Sequence, residues 1–362
     1  MKKIRFGKFV AAALLCFVLI TAFSSCIYLD DIRPKNSETE NSSQSSAESE
    51  QSDSSGAGDE SSTGADVSTI SADESSGGES SRDESSETSE PPTVKSYDYN
   101  GFHIVGFEMS EIITLVSSLT SIIGNAGAEV GIYYEELDTG YSISYNKEKK
   151  FCSGSVIKAP YAMYLMSSDI DLNQKLTLQA NQKMEGSGII KDNAAGTSYT
   201  IEKLIEYSIV NSDNTAYRML YDCFEFGSFN MYTYEFGIDT GCSSSEYLGY
   251  LGFISAYEAG VLFKDIYRRS KTNEAAGRLL GYLSDTQYSY LLPAGITNHT
   301  VAHKYGYMTG SYKVLNDVGI VLDTHPYIIA ILTDINPSGG NGRSTFKSLA
   351  SAINGFHDNL SQ

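Results

Sequence analysis

The order of hydrophobic patterns after residue 100 constrains the fold of this chain most. Alternating apolar and polar residues at positions 129–137 and 141–145, joined by Asp138-Thr139-Gly140, predict a β-hairpin. A long, mostly helical stretch follows at about positions 156–283. Three strand-like runs and a closing helix come next, at positions 301–307, 317–322, 327–333 and 344–356. This order predicts one sheet assembled from both ends of the domain, with a helical part beside it and a cleft between them.

The N-terminus has the layout of an export signal. Four cations precede residue 9, positions 9–23 are apolar, and Ser24 and Ser25 stand directly before Cys26. The apolar run is too short to span a bilayer comfortably, so residues 1–25 are predicted to be a signal peptide. The small pair before Cys26 resembles the lipobox of bacterial lipoproteins, which implies lipidation of Cys26. An uncleaved anchor or an ordinary signal with an incidental cysteine are the alternatives, and the chain is exported in either case.

Residues 26–98 are predicted to be a disordered tether. Positions 30–95 consist of Ser, Glu, Asp, Gly and Thr with almost no large apolar residues, so they cannot bury enough surface to fold. Positions 30–98 hold 18 acidic and 4 basic residues, which accounts for most of the net charge of -19. This charge argues against nucleic acid as a partner and against adsorption to anionic lipid, leaving the lipid anchor as the only membrane contact.

Residues 99–362 have the size of one catalytic domain, predicted to be monomeric. The domain has three cysteines, Cys152, Cys223 and Cys242. Either the last two form a disulfide or all three are buried free thiols. No Cys/His spacing suggests a zinc site and the five histidines are scattered, so no metal or cofactor is expected.

Three clusters carry the chemistry, and they read Ser155-Val-Ile-Lys158, Ser212-Asp213-Asn214 and Lys304-Tyr305-Gly306. They describe a serine nucleophile with a lysine base, a proton relay, and a cationic strand that holds an acyl substrate. Ser-x-x-Lys also occurs at positions 144–147 and 344–347. The first copy lies in a predicted strand, where residues three apart face opposite sides. The second opens the last helix, where its serine is more simply a cap.

Ser155 instead begins a predicted helix, where i,i+3 spacing places Lys158 beside its hydroxyl. The N-terminus of that helix directs backbone N–H groups at a developing oxyanion. Lys158 acts as a base only when neutral, and burial and the charge of Lys304 are both expected to lower its pKa. Ser212 then passes a proton to the leaving nitrogen, while the Asn214 amide holds Lys158 or the substrate.

These clusters and their flanks carry a resemblance to a known family. The motifs are Phe151-x-x-x-Ser155-x-x-Lys158, Gly186-Ser187-Gly188-Ile189-Ile190, Ser212-Asp213-Asn214, and Lys304-x-Gly306 ahead of Asn316-Asp317-Val318-Gly319-Ile320-Val321. Over about positions 109–356 the chain resembles the class A β-lactamase family and the related penicillin-recognising serine enzymes. The resemblance implies an α+β type of α/β fold, with a five-stranded antiparallel sheet flanked by helices and an inserted all-helical subdomain. The active site then lies in the cleft between them.

The resemblance also implies roles for single residues. Ser155 is the acylated nucleophile, Lys158 its base and Ser212 the relay, while Asn214, Lys304, Tyr305 and Gly306 bind the substrate. The backbone N–H groups of Ser155 and Tyr307 form the oxyanion hole.

Two departures from the family pattern affect the predicted activity. The family has Thr or Ser where this chain has Tyr305, which is bulkier and puts recognition of a substrate carboxylate in doubt. The family's β-lactamases also carry a loop glutamate followed by an asparagine that activates the deacylating water. Glu246 is the only candidate here, it lacks the asparagine, and it is more simply a solvated loop acid.

Three functions therefore remain open. The first is a serine β-lactamase-type hydrolase, tethered at the cell surface, that forms and hydrolyses an acyl-enzyme on Ser155 with β-lactams. The second is a cell-wall DD-peptidase that acts on peptidoglycan stem peptides and deacylates slowly after a β-lactam. The third is a non-catalytic peptidoglycan-binding module, which the complete set of catalytic residue types disfavours. We expect the first.

Overall fold

The computed structural model describes residues 94–246 and 248–360. They belong to a compact unit that spans Ser85–Gln362. The predicted signal peptide at positions 1–25, the predicted lipidation site Cys26 and nearly all of the predicted tether lie outside the described residues. Within the described ranges, no helix is both long enough and apolar enough to cross a membrane.

The strands form one large sheet and two small ones. They are β1 (Ser96–Tyr99), β2 (Phe102–Val105), β3 (Val130–Glu136), β4 (Ser142–Tyr145), β5 (Phe151–Cys152), β6 (Lys175–Thr177), β7 (Ser198–Thr200), β8 (Phe253–Ile254), β9 (Thr300–Met308), β10 (Val314–Leu322) and β11 (Tyr327–Thr333). The large sheet is antiparallel, in the order β1-β2-β4-β3-β11-β10-β9. The short pairs β5-β8 and β6-β7 lie apart from it. As predicted, the sheet combines strands from both ends of the domain.

The sheet has seven strands where five were expected. The two additional strands, β1 and β2, form a hairpin that joins the sheet through pairing of β2 with β4. Each is only four residues long, too short for alternation to reveal it, and Asn100 and Gly101 form the turn with positive φ. Strand β1 also crosses the predicted boundary between tether and domain at residue 98, so the folded part begins earlier than expected.

The helices cover both faces of the sheet. They are α1 (Met109–Gly124), α2 (Lys158–Ser167), α3 (Ile201–Val210), α4 (Asn214–Phe224), α5 (Gly227–Tyr234), α6 (Ala256–Ser270), α7 (Glu274–Ser284), α8 (Leu292–Gly295) and α9 (Gly342–Leu360). Short 3₁₀ turns span Gly154–Ile157, Ala180–Gln182 and Gly249–Leu251. The mixed α/β class with an antiparallel sheet flanked by helices is therefore confirmed.

Alternation along the strands divides the core into two layers. Ile132 and Tyr134 of β3 pack with the helices α1 and α9, whereas Tyr133 between them packs with the helical group that includes α2 and α6. Helix α6 approaches the sheet closely at Gly260, where an added Cβ would lie 2.2 Å from the Tyr133 ring. The inserted helices are thereby fixed against the face of the sheet from which Lys304 projects.

Strand β9 lies at one edge of the sheet, so its free side can contact the helical part of the domain. It pairs with β10 along its whole length, and its other edge is not paired with a strand of the large sheet. The 3₁₀ turn Gly154–Ile157, which holds Ser155, contacts β9 instead. The first and third sequence clusters thus meet at this edge.

Candidate active site

Ser155 and Lys158 lie at the start of the helix that enters the helical group. Ser155 is in the 3₁₀ turn Gly154–Ile157, and Lys158 ends this turn and begins α2. Residues three apart eclipse one another in a 3₁₀ turn, so the two side chains project from the same side. Ser155 is half-buried, whereas Lys158 is 2% exposed. The serine is open to the cleft while the amine of the lysine is withdrawn from water.

Two glycines allow this turn to lie directly against β9. Gly154 has φ +56, and a Cβ on it would lie 2.9 Å from Val314 Cγ1. A Cβ on Gly306 would lie 2.8 Å from the Ser153 carbonyl oxygen and 3.4 Å from the Ser155 nitrogen. The Ser155 N–H therefore lies beside the strand segment that includes Tyr307, whose backbone N–H is the other expected oxyanion donor.

The amine of Lys158 is held by two oxygen acceptors. Its Nζ donates to the Ser212 carbonyl and to Asn214 Oδ1, each at 2.8 Å. Burial lowers the pKa of Lys158 to about 7, and the nearby Asp213 carboxylate opposes this shift. A neutral amine has two N–H donors and one lone pair. Since both donors are used here, the lone pair remains for the proton of a serine hydroxyl.

Ser212 lies between the two lysines. Its carbonyl accepts from Lys158, and its hydroxyl accepts from Lys304 Nζ at 2.9 Å. Ser212 has φ +51, a conformation that non-glycine residues adopt rarely and that is enriched at functional sites. This backbone geometry lets one residue contact both amines.

Lys304 was expected to bind the substrate, which would require an amine that faces the cleft. In the structure its side chain is completely buried. Its Nζ also donates to the Tyr305 carbonyl at 3.1 Å. Burial lowers the pKa of Lys304 well below its usual value, repulsion from Lys158 lowers it further, and Asp317 opposes both. Lys304 was expected to lower the pKa of Lys158. Burial is the largest cause of the lowered pKa of both amines, and their mutual repulsion disfavours a proton on both at once.

Asp213 organises the loop on the opposite side of the cleft. One carboxylate oxygen accepts from the Ile189 and Ile190 N–H groups at 2.5 and 2.9 Å, and the other caps α4 by accepting from the Ala216 N–H at 2.8 Å. Asn214 adds a bond from its Nδ2 to the Glu185 carbonyl at 3.0 Å. The middle residue of the second cluster is therefore a buried structural anchor, a role that sequence reasoning did not assign.

Asn316 is a second anchor that sequence reasoning did not identify. Its Nδ2 donates to the Cys152 carbonyl at 2.9 Å and to the Ser153 carbonyl at 3.3 Å, and its Oδ1 accepts from the Thr333 N–H at 2.8 Å. Asn316 thereby connects the residues that directly precede Ser155 to strand β11 of the sheet. The sequence did contain an indication of this role, because the two polar residues Asn316 and Asp317 interrupt the otherwise apolar strand β10.

Tyr305 closes one side of the cleft. It is 3% exposed, its ring lies 4.7 Å from that of Tyr288, and Lys304 Nζ lies 4.3 Å from its ring centre. Burial raises the pKa of Tyr305, and its contacts with the hydroxyls of Ser187 and Ser212 partly offset this rise. The phenol therefore stays protonated and sits between the sheet edge and the loop that contains Ser187.

The loop that precedes β8 lies beside the turn that holds Ser155 but offers no buried carboxylate there. Ser153 Oγ donates to the Leu251 carbonyl, and the Ser153 N–H donates to the Gly252 carbonyl at 3.1 Å. Among the described residues from 235 to 253, the acids are Glu235, Asp239 and Glu246, and all three are exposed. Glu246 is therefore a solvent-exposed loop acid, as expected.

The remaining sequence candidates lie away from this cluster. Lys147 packs over the Tyr257 ring at 4.4 Å, and Ser344 Oγ donates to the Asn341 carbonyl inside the first turn of α9.

In the described part of the chain Cys152, Cys223 and Cys242 are free thiols, so the disulfide alternative is wrong. Cys223 is only half-buried.

Replacing Asp213 with alanine should cost about 3 kcal/mol of unfolding free energy, because three backbone N–H groups lose their acceptor. Urea denaturation measures this loss. Asn273 caps α7 through a single bond to the Ala276 N–H, so Asn273→Ala should cost only about 1 kcal/mol. Equal losses in the two variants would contradict the anchoring role of Asp213.

Comparisons with known proteins agree with this geometry. The chain is 24% identical over 244 residues to the extended-spectrum β-lactamase PER-1 of Pseudomonas aeruginosa, covering 60% of this chain and 78% of that protein. A β-lactamase from Chitinophaga pinensis superimposes with a TM-score of 0.60 at 20% identity, over 68% of this chain and 99% of the other. A PBP-A variant in an acyl-enzyme complex with penicillin G gives a TM-score of 0.61 at 20% identity, over 68% and 96%.

The sequence pattern of one family covers most of the domain. The match is to the β-lactamase enzyme family and spans residues 114–356, well over half of the chain. It includes all three clusters. The chain therefore belongs to the β-lactamase enzyme family.

Proposed function

We propose that this protein is a serine hydrolase that β-lactams acylate at Ser155. The observation that carries the proposal is the buried Lys158 amine, which lies three residues from Ser155 at the start of the same helix and donates to two oxygen acceptors. Burial also lowers its pKa to about 7. Burial lowers the pKa of both Lys158 and Lys304, and Lys158 is the one of the two that shares the turn with Ser155.

Acylation follows from the arrangement of the cleft. Lys158 takes the hydroxyl proton of Ser155 as its oxygen attacks the substrate carbonyl. The Ser155 and Tyr307 N–H groups receive the negative charge that develops on that carbonyl oxygen. Ser212, hydrogen-bonded to Lys304, hands its hydroxyl proton to the leaving nitrogen as the C–N bond breaks, and the proton that Lys158 took from Ser155 replaces it. The product is an ester on Ser155. The new amine stays attached to an opened β-lactam and leaves when the substrate is a peptide.

Two substrate classes fit this reaction, the β-lactams and the stem peptides of peptidoglycan. The similarity to the β-lactamase PER-1 and to a PBP-A acyl-enzyme complex with penicillin G supports a β-lactam as the acylating reagent. Every group named in the reaction comes from one chain, which supports a monomer as the working unit. No step requires a metal or cofactor.

The exposed position of Glu246 favours a second candidate for the natural reaction. Hydrolysis of the ester needs a base that activates water beside Ser155, and the acids of the described loop face solvent. A cell-wall DD-peptidase that deacylates slowly after a β-lactam fits this better than an efficient β-lactamase. A non-catalytic peptidoglycan-binding module is the outcome if Ser155 does not react.

The cell-surface location is also a proposal. The cationic start, the apolar run and Cys26 after two serines support export and lipid anchoring on the outer face of the cell membrane. The acidic Ser-rich segment supports a tether between anchor and enzyme. Metabolic labelling with a palmitate analogue, lost in Cys26→Ala, would support the anchor.

Incubation of the purified protein with benzylpenicillin should add one penicillin mass to the intact protein. Ser155→Ala should abolish the adduct, and Lys158→Ala should slow its formation at least about 100-fold. Glu246→Ala is the control and should leave acylation unchanged, because its side chain is exposed. An adduct that persists in Ser155→Ala would refute the assignment of the nucleophile.

The fate of the adduct separates the first two candidates. Rapid turnover of a chromogenic cephalosporin would establish an efficient β-lactamase. A long-lived adduct together with cleavage of D-Ala-D-Ala peptides would establish the peptidase. Muropeptide binding without either reaction would establish the module.

The acylation rate constant should rise with pH around a midpoint near 7 and level off above it. Lys158 is protonated and inactive below its pKa of about 7, and neutral above it. Stopped-flow acylation between pH 5.5 and 9 measures this profile. A rate that is independent of pH, or that rises only near pH 10, would exclude Lys158 as the base.

Tyr305→Thr should speed acylation by carboxylate-bearing penicillins by about tenfold, since it uncovers Lys304 and widens the cleft. Tyr305→Phe keeps the ring and removes only the hydroxyl, so its rate should stay near that of the wild type. Slower acylation in both variants would instead show that the Tyr305 hydroxyl itself binds the substrate.

A further inference from the structure

A second group of functional side chains lies at the other end of β9. His299 directly precedes β9, Asp323 directly follows β10, and Asp358 is in the last turns of α9. One ligand atom from each lies within 4.8 Å of the others. Lys304 lies five positions after His299, which corresponds to roughly 17 Å along a strand. The group is therefore separate from the proposed acylation site.

The distances within this group suit coordination of a small cation. His299 Nε2 lies 2.9 Å from Asp358 Oδ1 and 3.6 Å from Asp323 Oδ2. A tetrahedral metal with bonds of about 2.1 Å to nitrogen and oxygen separates its ligand atoms by about 3.4 Å. The spacing found here brackets that value. The Asn298 amide nitrogen lies 2.8 Å from His299 Nε2 and has to turn away from it for an ion to bind.

Neighbouring donors orient both carboxylates. Asp358 Oδ2 accepts from the side-chain amides of Asn298 and Asn354, at 3.0 and 2.8 Å. The other oxygen of Asp358 is the one beside His299. Hydrogen bonds to the outer oxygen of a ligating carboxylate are typical of metal sites, because they fix the direction of the inner oxygen.

Asp323 is held in the same way. Its Oδ1 accepts from the Thr324 N–H, which leaves Oδ2 directed at His299. The side chains of His299 and Asp323 are 17% and 15% exposed, so the group is shielded but reachable from solvent. Asp323 Oδ2 lies 3.6 Å from His299 Nε2 and also 3.6 Å from the Nε2 of the buried His357. The two carboxylates of the group attract a cation.

We propose that His299, Asp323 and Asp358 bind one divalent cation of the zinc class. One imidazole nitrogen with two carboxylates is a donor set for zinc and related transition metals, whereas calcium and magnesium prefer oxygen alone. Three protein ligands leave a fourth position for water. The ion would join the start of β9, the end of β10 and α9, and so lock the closing helix onto the sheet.

The histidines are scattered along the sequence, and for this reason the site was not expected. His299 and Asp323 come together through antiparallel pairing, in which Leu322 lies opposite Thr300. Asp358 is added by the packing of α9 against that end of the sheet. A motif search over adjacent positions cannot detect ligands that converge in this way.

Titration of the purified metal-free protein with ZnCl₂ in a calorimeter tests the proposal. The wild type should show one saturable site and a higher melting temperature with zinc. His299→Asn and Asp323→Asn should each weaken zinc binding at least tenfold and remove the thermal shift. The matched control is His325→Asn, since His325 faces a single carboxylate, Asp138, at 3.0 Å. This control should bind zinc as the wild type does.

Several outcomes would overturn the proposal. Absence of a saturable site would mean that the group is an ion pair only. Equal binding by wild type and Asp323→Asn would place the zinc elsewhere, for example on the acidic N-terminal segment. Calcium binding as tight as zinc binding would reject the assigned class. Circular dichroism without metal checks that the variants fold, and an anomalous zinc peak between His299 and Asp323 would locate the ion directly.

Discussion

The withdrawal of the Lys158 amine from water is the constraint on which the active cleft depends. Lowering its pKa from 10.5 to about 7 destabilises the folded chain by roughly 5 kcal/mol below pH 7. This cost builds up as the pH falls from about 10.5 to 7, the range in which the unfolded chain binds this proton and the folded chain does not. The fold must offset this cost through packing elsewhere. The large apolar clusters on both faces of the sheet are where that stabilisation arises.

The same burial requires a rigid frame around the amine. A buried lysine is tolerated when its N–H groups have acceptors, and Ser212 and Asn214 supply them from the junction of two helices. Asp213 fixes that junction from within, and Asn316 fixes the turn that holds Ser155. The frame thus links the helical group to the sheet at the atoms where the proposed chemistry occurs.

Local patterns predicted much of this arrangement. Most of the features that were not predicted depend on contacts between distant segments of the chain. Strand β11 was predicted with the bounds that the structure has, because a short apolar run between turn residues is a local signal. The anchoring roles of Asp213 and Asn316 were not predicted, since they depend on contacts across distant segments. The His299 group was missed for the same reason. The hairpin β1-β2 is local, and it was missed because each of its strands has only four residues.

The two halves of the proposed reaction make different demands on the fold. Acylation uses groups on α2, on the helix junction and on β9, and a change in any of these would disturb the buried amines. Deacylation needs only a carboxylate on the loop before β8, which contacts the nucleophile turn through Ser153 and backbone carbonyls. That loop holds neither Lys158 nor Lys304. Substitutions of its acidic residues can therefore leave the residues that acylate the protein in place. On the proposed function, the step from penicillin-binding enzyme to efficient β-lactamase is therefore confined to this loop, and Glu246 lies on its solvent side.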